Sequence, residues 1–421
     1  MIRRFLDPDS IGSPQFIAGA LLLVYLLQCV WLIRVQTRHG ALPDSDHALC
    51  IYDGLEQWKG GAIAGTPQAL RAEAATGVPS AGREGHLRVR DGFDQDRSPL
   101  YYLVAAAPIL VQPDALPADS PLGQIWAATP YLFFGVMLGA SLWYVSRRLY
   151  GNAGGYIALA LYCFSPAVSF PWPGPLLTGS LGIFGTIFVA IAAAHTLYAP
   201  AGAAISELRS RWRRIILLGL AITLAAGSGW WAIMLVLLGL GFMLYLVPER
   251  RLASLALVLT SCAVAVVLLL ACFGFRPRSL AAAITQADFL PLQRGMIASE
   301  ALRGYVTGIR HAENPVLLVL AAMALIAYFA WSRCRYFGNT APLLSLLVLV
   351  ALGLGAFADV FVGPFPFRGT SFLYVFIGGV YADLLESRWR NAFGILLLGL
   401  LVVYAMVSVT TVARLRLSVL Y

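Results

Sequence analysis

The chain has 421 residues, of which 59% are hydrophobic and only 12% charged, whereas a soluble domain carries about 25% charged residues. This composition excludes an ordinary water-soluble enzyme. Repeated apolar runs near the ~20 residues that cross a bilayer instead predict an all-α polytopic membrane protein. The net charge of +9 lies in short basic clusters between apolar runs. That pattern is typical of cytoplasmic loops and favours phosphate-bearing membrane lipids over nucleic acid as partners.

The first crossing is predicted at Phe16–Ile33, with the N-terminus in the cytoplasm of a bacterial inner (plasma) membrane. A polar segment, Leu42–Ser98, follows and lies outside, within an external loop over residues 37–123. Ile51–Trp58 in this loop is predicted to be an amphipathic helix lying on the membrane. Pro99–Val111 is apolar but too short to cross, so it is predicted to be re-entrant or interfacial.

About eleven crossings are predicted in a single transmembrane domain, 1–421. Those after the first are predicted from apolar length and basic clusters at Ile125–Val145, Tyr156–Phe170, Leu176–Tyr198, two short helices within Ile215–Leu246, Leu252–Cys272, Val316–Trp331, Leu343–Val362, Ser371–Leu385 and Phe393–Val412. A second external loop covers residues 273–314, and Gly363–Arg368 is predicted to be an external turn. Trp230 and Trp231 are predicted to lie in the aromatic belt of the membrane interface.

Polar residues gather on the predicted outer face, where acidic side chains beside a bilayer are costly and usually functional. They include Asp44, Asp46, His47, Asp96, Arg97 and Arg368. Structural alternatives stay open for them. Short acidic residues cap helices well, Asp96 can pair with Arg97 at a surface, and His47 has no second histidine at metal-ligand spacing.

Two further alternatives stay open. Tyr101 and Tyr102 can be an aromatic-belt anchor. Two carboxylates one residue apart, Asp44 and Asp46, are weak evidence for a divalent metal, and no cofactor is predicted with certainty. Phosphate-binding glycine loops and a HExxH helix are absent from the sequence, so it gives no support for ATP hydrolysis or metalloproteolysis.

A carboxylate near an arginine at the membrane surface suits one reaction type. The arginine binds a lipid phosphate, which is the leaving group, while the carboxylate takes a proton from an acceptor hydroxyl as the sugar passes through a cation-like state. Both groups are then needed at the outer interface, where a polyprenyl headgroup lies.

Several short motifs carry a family resemblance. Asp46-His47 follows the first crossing, and Ser98-Pro99-Leu100-Tyr101-Tyr102 comes after the long loop. Arg147-Arg148-Leu149-Tyr150-Gly151, Phe164-Ser165-Pro166 and Phe367-Arg368 occur later. Together they resemble the GT-C-fold glycosyltransferases that use polyprenyl-phosphate sugars, in the branch of protein O-mannosyltransferases and aminoarabinose transferases. The resemblance implies a GT-C-like helical bundle with juxtamembrane helices in its first external loop.

The resemblance also implies roles for single residues. Asp46 is the implied catalytic base, with Asp44 as its substitute if the register is off by two, and Arg368 is implied to bind donor phosphate. His47, Asp96, Arg97, Tyr101 and Tyr102 are the other candidate substrate-binding residues. In this sequence His47 replaces the family's second acid, and Ser98 replaces the basic or histidine residue before the proline.

The sequence therefore predicts a membrane glycosyltransferase, of the inverting GT-C type, that moves a sugar from a polyprenyl-phosphate donor to an acceptor on the extracytoplasmic side. Because of the departures from the family motifs, a non-catalytic GT-C-like subunit or scaffold with a fixed protein partner is the alternative. A lipid-linked-oligosaccharide flippase or polymerase is a third hypothesis, which needs a basic channel between the helices.

Overall fold

The described part of the chain is mainly helical. The computed structural model describes residues 13–38, 45–60, 89–90, 93–94, 98–113, 120–166, 176–197, 211–227, 229–286, 315–330, 345–348 and 365–418. Within these ranges the strands are two residues each, β1 (Val89–Arg90) and β2 (Phe93–Asp94), and they pair antiparallel.

The helices of the described ranges follow one another with few residues between several of them. They are α1 (Pro14–Arg38), α2 (Ser45–Trp58), α3 (Leu100–Leu110), α4 (Pro121–Ala127), α5 (Thr129–Cys163), α6 (Leu176–Thr196), α7 (Trp212–Ala226), α8 (Met234–Leu246), α9 (Arg251–Cys272), α10 (Pro277–Gln286), α11 (Pro315–Ala330), α12 (Phe365–Leu385) and α13 (Arg390–Ser418). Short 3₁₀ helices at Trp230–Ile233 and Pro248–Arg250 precede α8 and α9.

Several helices are long and apolar enough to span a bilayer. In the part of the chain that the structure describes they are Pro14–Val35, Thr178–Thr196, Pro248–Cys272 and Arg390–Thr410, and the bent pair Pro121–Ala127 with Thr129–Cys163 is also apolar enough to lie in a bilayer. Large apolar side chains on α1 and α13 are exposed, among them Leu27 at 59% and Ile395 at 75%. Such contiguous apolar surface fits contact with lipid.

Two predictions about chain breaks have different outcomes. The break predicted within Ile215–Leu246 is confirmed, because α7 ends at Ala226 and α8 begins at Met234. The prediction that Gly363–Arg368 is wholly a turn is wrong, because α12 begins at Phe365. Pro366 is tolerated there because a backbone N–H in the first turn of a helix has no hydrogen-bonding partner within the helix, so proline, which lacks the N–H, loses no bond. Most of the crossing predicted at Leu343–Val362 lies outside the described residues.

The chain divides into two compact units. Unit A comprises Met1–Ala41, Gly135–Pro171 and Pro291–Tyr421, and unit B comprises Leu42–Phe134 and Trp172–Leu290. Unit A therefore holds α1, most of α5 and α11 to α13. Unit B holds α2 to α4 and α6 to α10, together with the β pair.

Unit A is built around α12, which is buried at every position from 369 to 384. A helix that is apolar on all sides belongs in the interior. The chain reverses direction within α5 at Gly151, whose φ of 74° suits glycine. The hydroxyl of Tyr162 then donates to the carbonyl of Gly135 at 2.6 Å, so the two halves of α5 form an antiparallel hairpin. On one of these halves Gly154 lies against the backbone of Gly378 in α12.

Unit B is built on the antiparallel pair α6 and α7. A Cβ on Gly182 would collide with the backbone of Ala225, so these helices touch main chain to main chain. Arg211 donates to the carbonyl of Thr196 at 2.9 Å near the other end of the pair. The C-terminus of α9 closes with a Schellman motif, in which Phe275 N–H bonds to Leu270 O and Gly274 N–H to Ala271 O.

One buried hydrogen bond ties α13 to the hairpin of unit A. The Tyr404 side chain is fully buried, and its hydroxyl donates to the carbonyl of Leu161 at 3.0 Å. We expect Tyr404→Phe to lower the free energy of unfolding by about 1 kcal/mol, the usual net worth of such a bond. The same substitution at Tyr144, which is 57% exposed, should change stability little. Thermal unfolding of both variants in the same lipid checks this, and equal shifts would contradict it.

Candidate functional site

The candidate site is built on the contact between α2 and α3 in unit B. Gly54 of α2 lies directly on α3, since a Cβ there would collide with the carbonyl oxygen of Tyr102 and stand 2.7 Å from the Cβ of Ala106. Glycine allows the two backbones to approach this closely. The helix predicted at Ile51–Trp58 is confirmed and extends back to Ser45. The apolar face of α2 packs against α3.

Tyr101 and Tyr102 lie at the centre of this contact. Their side chains are buried, with 7% and 0% exposed, and they form a small cluster with Ala105 and Ile51. The two rings meet edge to face at 5.2 Å between centroids. The aromatic-belt alternative does not fit these tyrosines, because belt residues place their rings among lipid headgroups. Both tyrosine side chains therefore pack inside unit B, at the contact between α2 and α3.

Side-chain to backbone hydrogen bonds fix both ends of α3. The indole N–H of Trp58 at the end of α2 donates to the carbonyl of Leu103 at 3.0 Å. Near the other end, the indole N–H of Trp126 in α4 donates to the carbonyl of Pro108 at 2.7 Å. Lys59 pairs with Glu56 at 3.0 Å beyond the α2–α3 contact. The short apolar α3 is thus held as part of a rigid platform.

Asp46 and His47 are the second and third residues of α2, in the first turn of the helix that this platform holds further along. Negative charge in the first turn of a helix is stabilising, so the position suits a carboxylate in any role. Only the backbone is described here, and Asp44, Asp96 and Arg97 lie outside the described residues. Arg368 is in the first turn of α12, in unit A, also with only its backbone described. That Asp46 and Arg368 serve one site stays a prediction.

Asp53 is a carboxylate that the sequence reasoning missed. It lies in α2 beside Gly54 and is only 4% exposed. Asp46 precedes it by two helical turns, about 10 Å along the axis at ~1.5 Å per residue, on the same stripe of the helix. Burying an acid is costly unless it is paired or hydrogen-bonded. The spacing from Asp46 within an otherwise apolar face was the signal that could have identified it.

A metal centre has no support among the described side chains, where no group of three or more His, Cys, Asp and Glu residues comes together. Asp44, Asp96 and the side chain of Asp46 lie outside the described part, so a divalent metal beside Asp44 and Asp46 stays a prediction.

Comparison with known proteins identifies the fold. No protein-family model matches the chain, and no curated protein matches it in sequence. The structure is similar to the crystal structure of the oligosaccharyltransferase of Archaeoglobus fulgidus in its apo form, with a TM-score of 0.53 and 11% identity over 94% of this chain. The matched region covers 56% of that chain, so this protein spans little more than half the length of that enzyme.

At 11% identity the likeness is one of fold. The protein is an all-α polytopic membrane protein with a GT-C-like fold, as its sequence predicts. Helices of membrane-spanning length, together with the short α2 and α3 of unit B, fit this architecture.

Proposed function

We propose that the protein is a membrane glycosyltransferase that takes a sugar from a polyprenyl-phosphate donor and transfers it to an acceptor on the extracytoplasmic side of the bacterial inner membrane. The observation that carries the proposal is the GT-C-like fold it has in common with an oligosaccharyltransferase. The placement of Asp46 at the start of a helix held by the Tyr101–Tyr102 platform adds support. In this topology the N-terminus is cytoplasmic.

The proposed reaction is an inverting displacement at the sugar's anomeric carbon. The acceptor oxygen forms a bond to that carbon and gives its proton to the Asp46 carboxylate. The bond from the anomeric carbon to the phosphate oxygen breaks, and its electron pair stays on the polyprenyl phosphate. Arg368 binds that phosphate through paired N–H donors and stabilises its charge as it leaves.

Arg368 provides a test of donor recognition. Arg368→Gln should raise the KM for a polyprenyl-phosphate monosaccharide about 10- to 100-fold, since hydrogen bonds to a charged group contribute about 1.5–3 kcal/mol. Arg368→Lys should lie between, because an ammonium keeps the charge but loses the paired geometry. The measurement is release of polyprenyl phosphate by protein in nanodiscs, over a panel of donor sugars.

Arg388→Gln is the matched control for this test. Arg388 follows the other end of α12 and lies over the ring of Trp389 at 5.7 Å, so its loss removes the same charge from the same unit. An equal rise in KM for both variants would argue against a specific phosphate contact at Arg368. No turnover of any donor by the unsubstituted protein would count against the transferase itself.

A non-catalytic subunit or scaffold is the second candidate, and one observation favours it. Ser98 occupies the place of the basic or histidine residue of the resembled family, and its side chain is completely buried. A subunit role predicts that the arginine substitutions leave function unchanged while a fixed partner co-purifies with the protein.

A further inference from the structure

The chain leaves the C-terminal end of α9 through a strained phenylalanine. Phe275 has a φ of 57°, and among the described residues every other positive φ belongs to a glycine. A bulky side chain in this left-handed region is an outlier that costs free energy. Gly274, with a φ of 59°, already supplies the left-handed residue of the Schellman motif. The conformation of Phe275 therefore needs a further explanation.

The Phe275 side chain lies outside the protein core. It is 69% exposed, whereas Phe273, two residues earlier, is 1% exposed and packs on the ring of Trp230 at 6.3 Å between centroids. A Schellman motif is frequently accompanied by an apolar contact between the residues that correspond here to Phe275 and Leu270. At 69% exposure the Phe275 ring is not buried by such a contact, so the chain presents this ring to its surroundings.

The length of α9 places Phe275 at a membrane interface. The helix has 22 residues, which is about 33 Å at ~1.5 Å per residue and slightly more than the ~30 Å hydrocarbon core. Leu252, Leu259 and Val267 are 83%, 59% and 60% exposed, so one side of α9 is available to lipid along most of its length. Residues just after Cys272 then lie between acyl chains and headgroups, whichever way α9 crosses the membrane.

Two arginines follow the exposed ring. Arg276 and Arg278 are exposed, and neither forms a salt bridge with another described residue. Residues 273–286 contain no aspartate or glutamate, so no acidic neighbour in this segment neutralises the two charges. An apolar ring beside two positive charges fits the boundary of a bilayer, where acyl chains meet phosphate groups. The charge also selects among lipids, because basic residues near the surface favour anionic headgroups.

We infer that Phe275, Arg276 and Arg278 form a docking surface for anionic phospholipids at the end of α9. The Phe275 ring inserts between acyl chains, and the guanidinium groups bind headgroup phosphates through paired N–H donors. Each arginine contacts the headgroup layer separately, so the two guanidinium groups need not meet on one phosphate. The occupant is bilayer phospholipid, and the inference does not depend on the proposed transfer reaction.

The test places a fluorescent reporter on this surface. Phe275→Trp keeps an aromatic ring there, and its emission is measured as the difference from the unsubstituted protein in phosphatidylcholine vesicles. The quenchers are dibrominated phosphatidylglycerol and dibrominated phosphatidylcholine, which have the same acyl chains and different headgroups. Phosphatidylglycerol should quench with about 5-fold or greater apparent affinity, the contribution of one basic residue near an anionic surface. High salt should reduce this preference.

Arginine pairs at the two ends of α9 provide the comparison. In the reporter protein, Arg276→Gln together with Arg278→Gln should abolish the preference for phosphatidylglycerol. Arg250→Gln together with Arg251→Gln is the matched control, since it removes the same charge from the other end of the helix. That end is about 33 Å away, beyond the ~10 Å over which exposed charges act. The control should therefore keep the preference.

Equal quenching by the two lipids, or equal loss of the preference in both arginine pairs, would overturn the inference. Absence of quenching by either lipid would also overturn it, because the ring would then lie outside the bilayer. A response of the reporter to added polyprenyl phosphate without a preference for phosphatidylglycerol would assign the surface to the donor instead. If Phe275→Trp does not fold, the arginine pairs are compared with Phe275 in place. The rise in melting temperature that phosphatidylglycerol gives over phosphatidylcholine should then fall by at least half for the Arg276 and Arg278 pair, and an unchanged rise would overturn the inference.

Discussion

Replacing Asp46 by asparagine is expected to lower kcat for sugar transfer by about 10²- to 10⁴-fold, the usual contribution of a positioned general base. The amide is nearly the same size as the carboxylate but cannot take the acceptor's proton. The KM for the polyprenyl-phosphate donor should stay unchanged, because the donor phosphate is assigned to Arg368. Single-turnover transfer with saturating donor measures the chemical step directly.

The matched control is Glu56→Gln in the same helix. Glu56 is a carboxylate paired with Lys59 at the far end of α2, so its loss changes the charge of α2 by the same amount without touching the proposed reaction. We expect normal kcat for this variant. If Asp46 only serves the helix terminus, Asp46→Asn should cost at most about 1 kcal/mol of stability, from the lost charge, and leave kcat intact. That outcome, with normal transfer by Asp44→Asn as well, would remove both residues from the mechanism.

The membrane-spanning helices could be predicted because their physical cause is local. A run of apolar residues bounded by basic clusters determines α9 almost alone, and the observed Arg251–Cys272 differs little from the predicted Leu252–Cys272. The break after Ala226 was equally local, since glycine weakens a helix wherever it occurs. In such segments two local requirements determine the structure. The backbone N–H and C=O groups must be hydrogen-bonded within the helix, and the side chains must be apolar enough to contact lipid.

The platform of the candidate site could not be predicted in the same way. Amphipathicity in Ile51–Trp58 indicates that one face is apolar, but not whether it meets lipid or protein. The interpretation of this helix as membrane-lying missed α3 as its partner, and with it the burial of Asp53. The burial of Trp230, whose side chain is 1% exposed, was missed for the same reason, because an indole suits a membrane interface and a protein core alike. Which surface covers an apolar face is decided by contacts distant in sequence.

Gly54 is the residue on which the α2–α3 contact depends, and Gly54→Ala is expected to weaken both stability and transfer. A methyl group would meet the carbonyl oxygen of Tyr102 and the Cβ of Ala106, so α2 must move away from α3. Overpacking of this kind costs about 1–3 kcal/mol. That exceeds the gain of at most about 1 kcal/mol from replacing a helical glycine by alanine.

The displacement should also reach Asp46, two turns earlier in the same rigid helix. A shift of about 1 Å in a positioned group can cost about 10²-fold in rate, so we expect a comparable fall in kcat, measured beside the melting temperature. Gly241→Ala in α8 is the control, since nothing lies within 4 Å of its added Cβ and it should be neutral or stabilising. If Gly54→Ala behaves like Gly241→Ala, the close contact with Tyr102 does not hold α2. If Gly54→Ala lowers the melting temperature but leaves kcat for transfer normal, the position of α2 does not determine the position of the base Asp46.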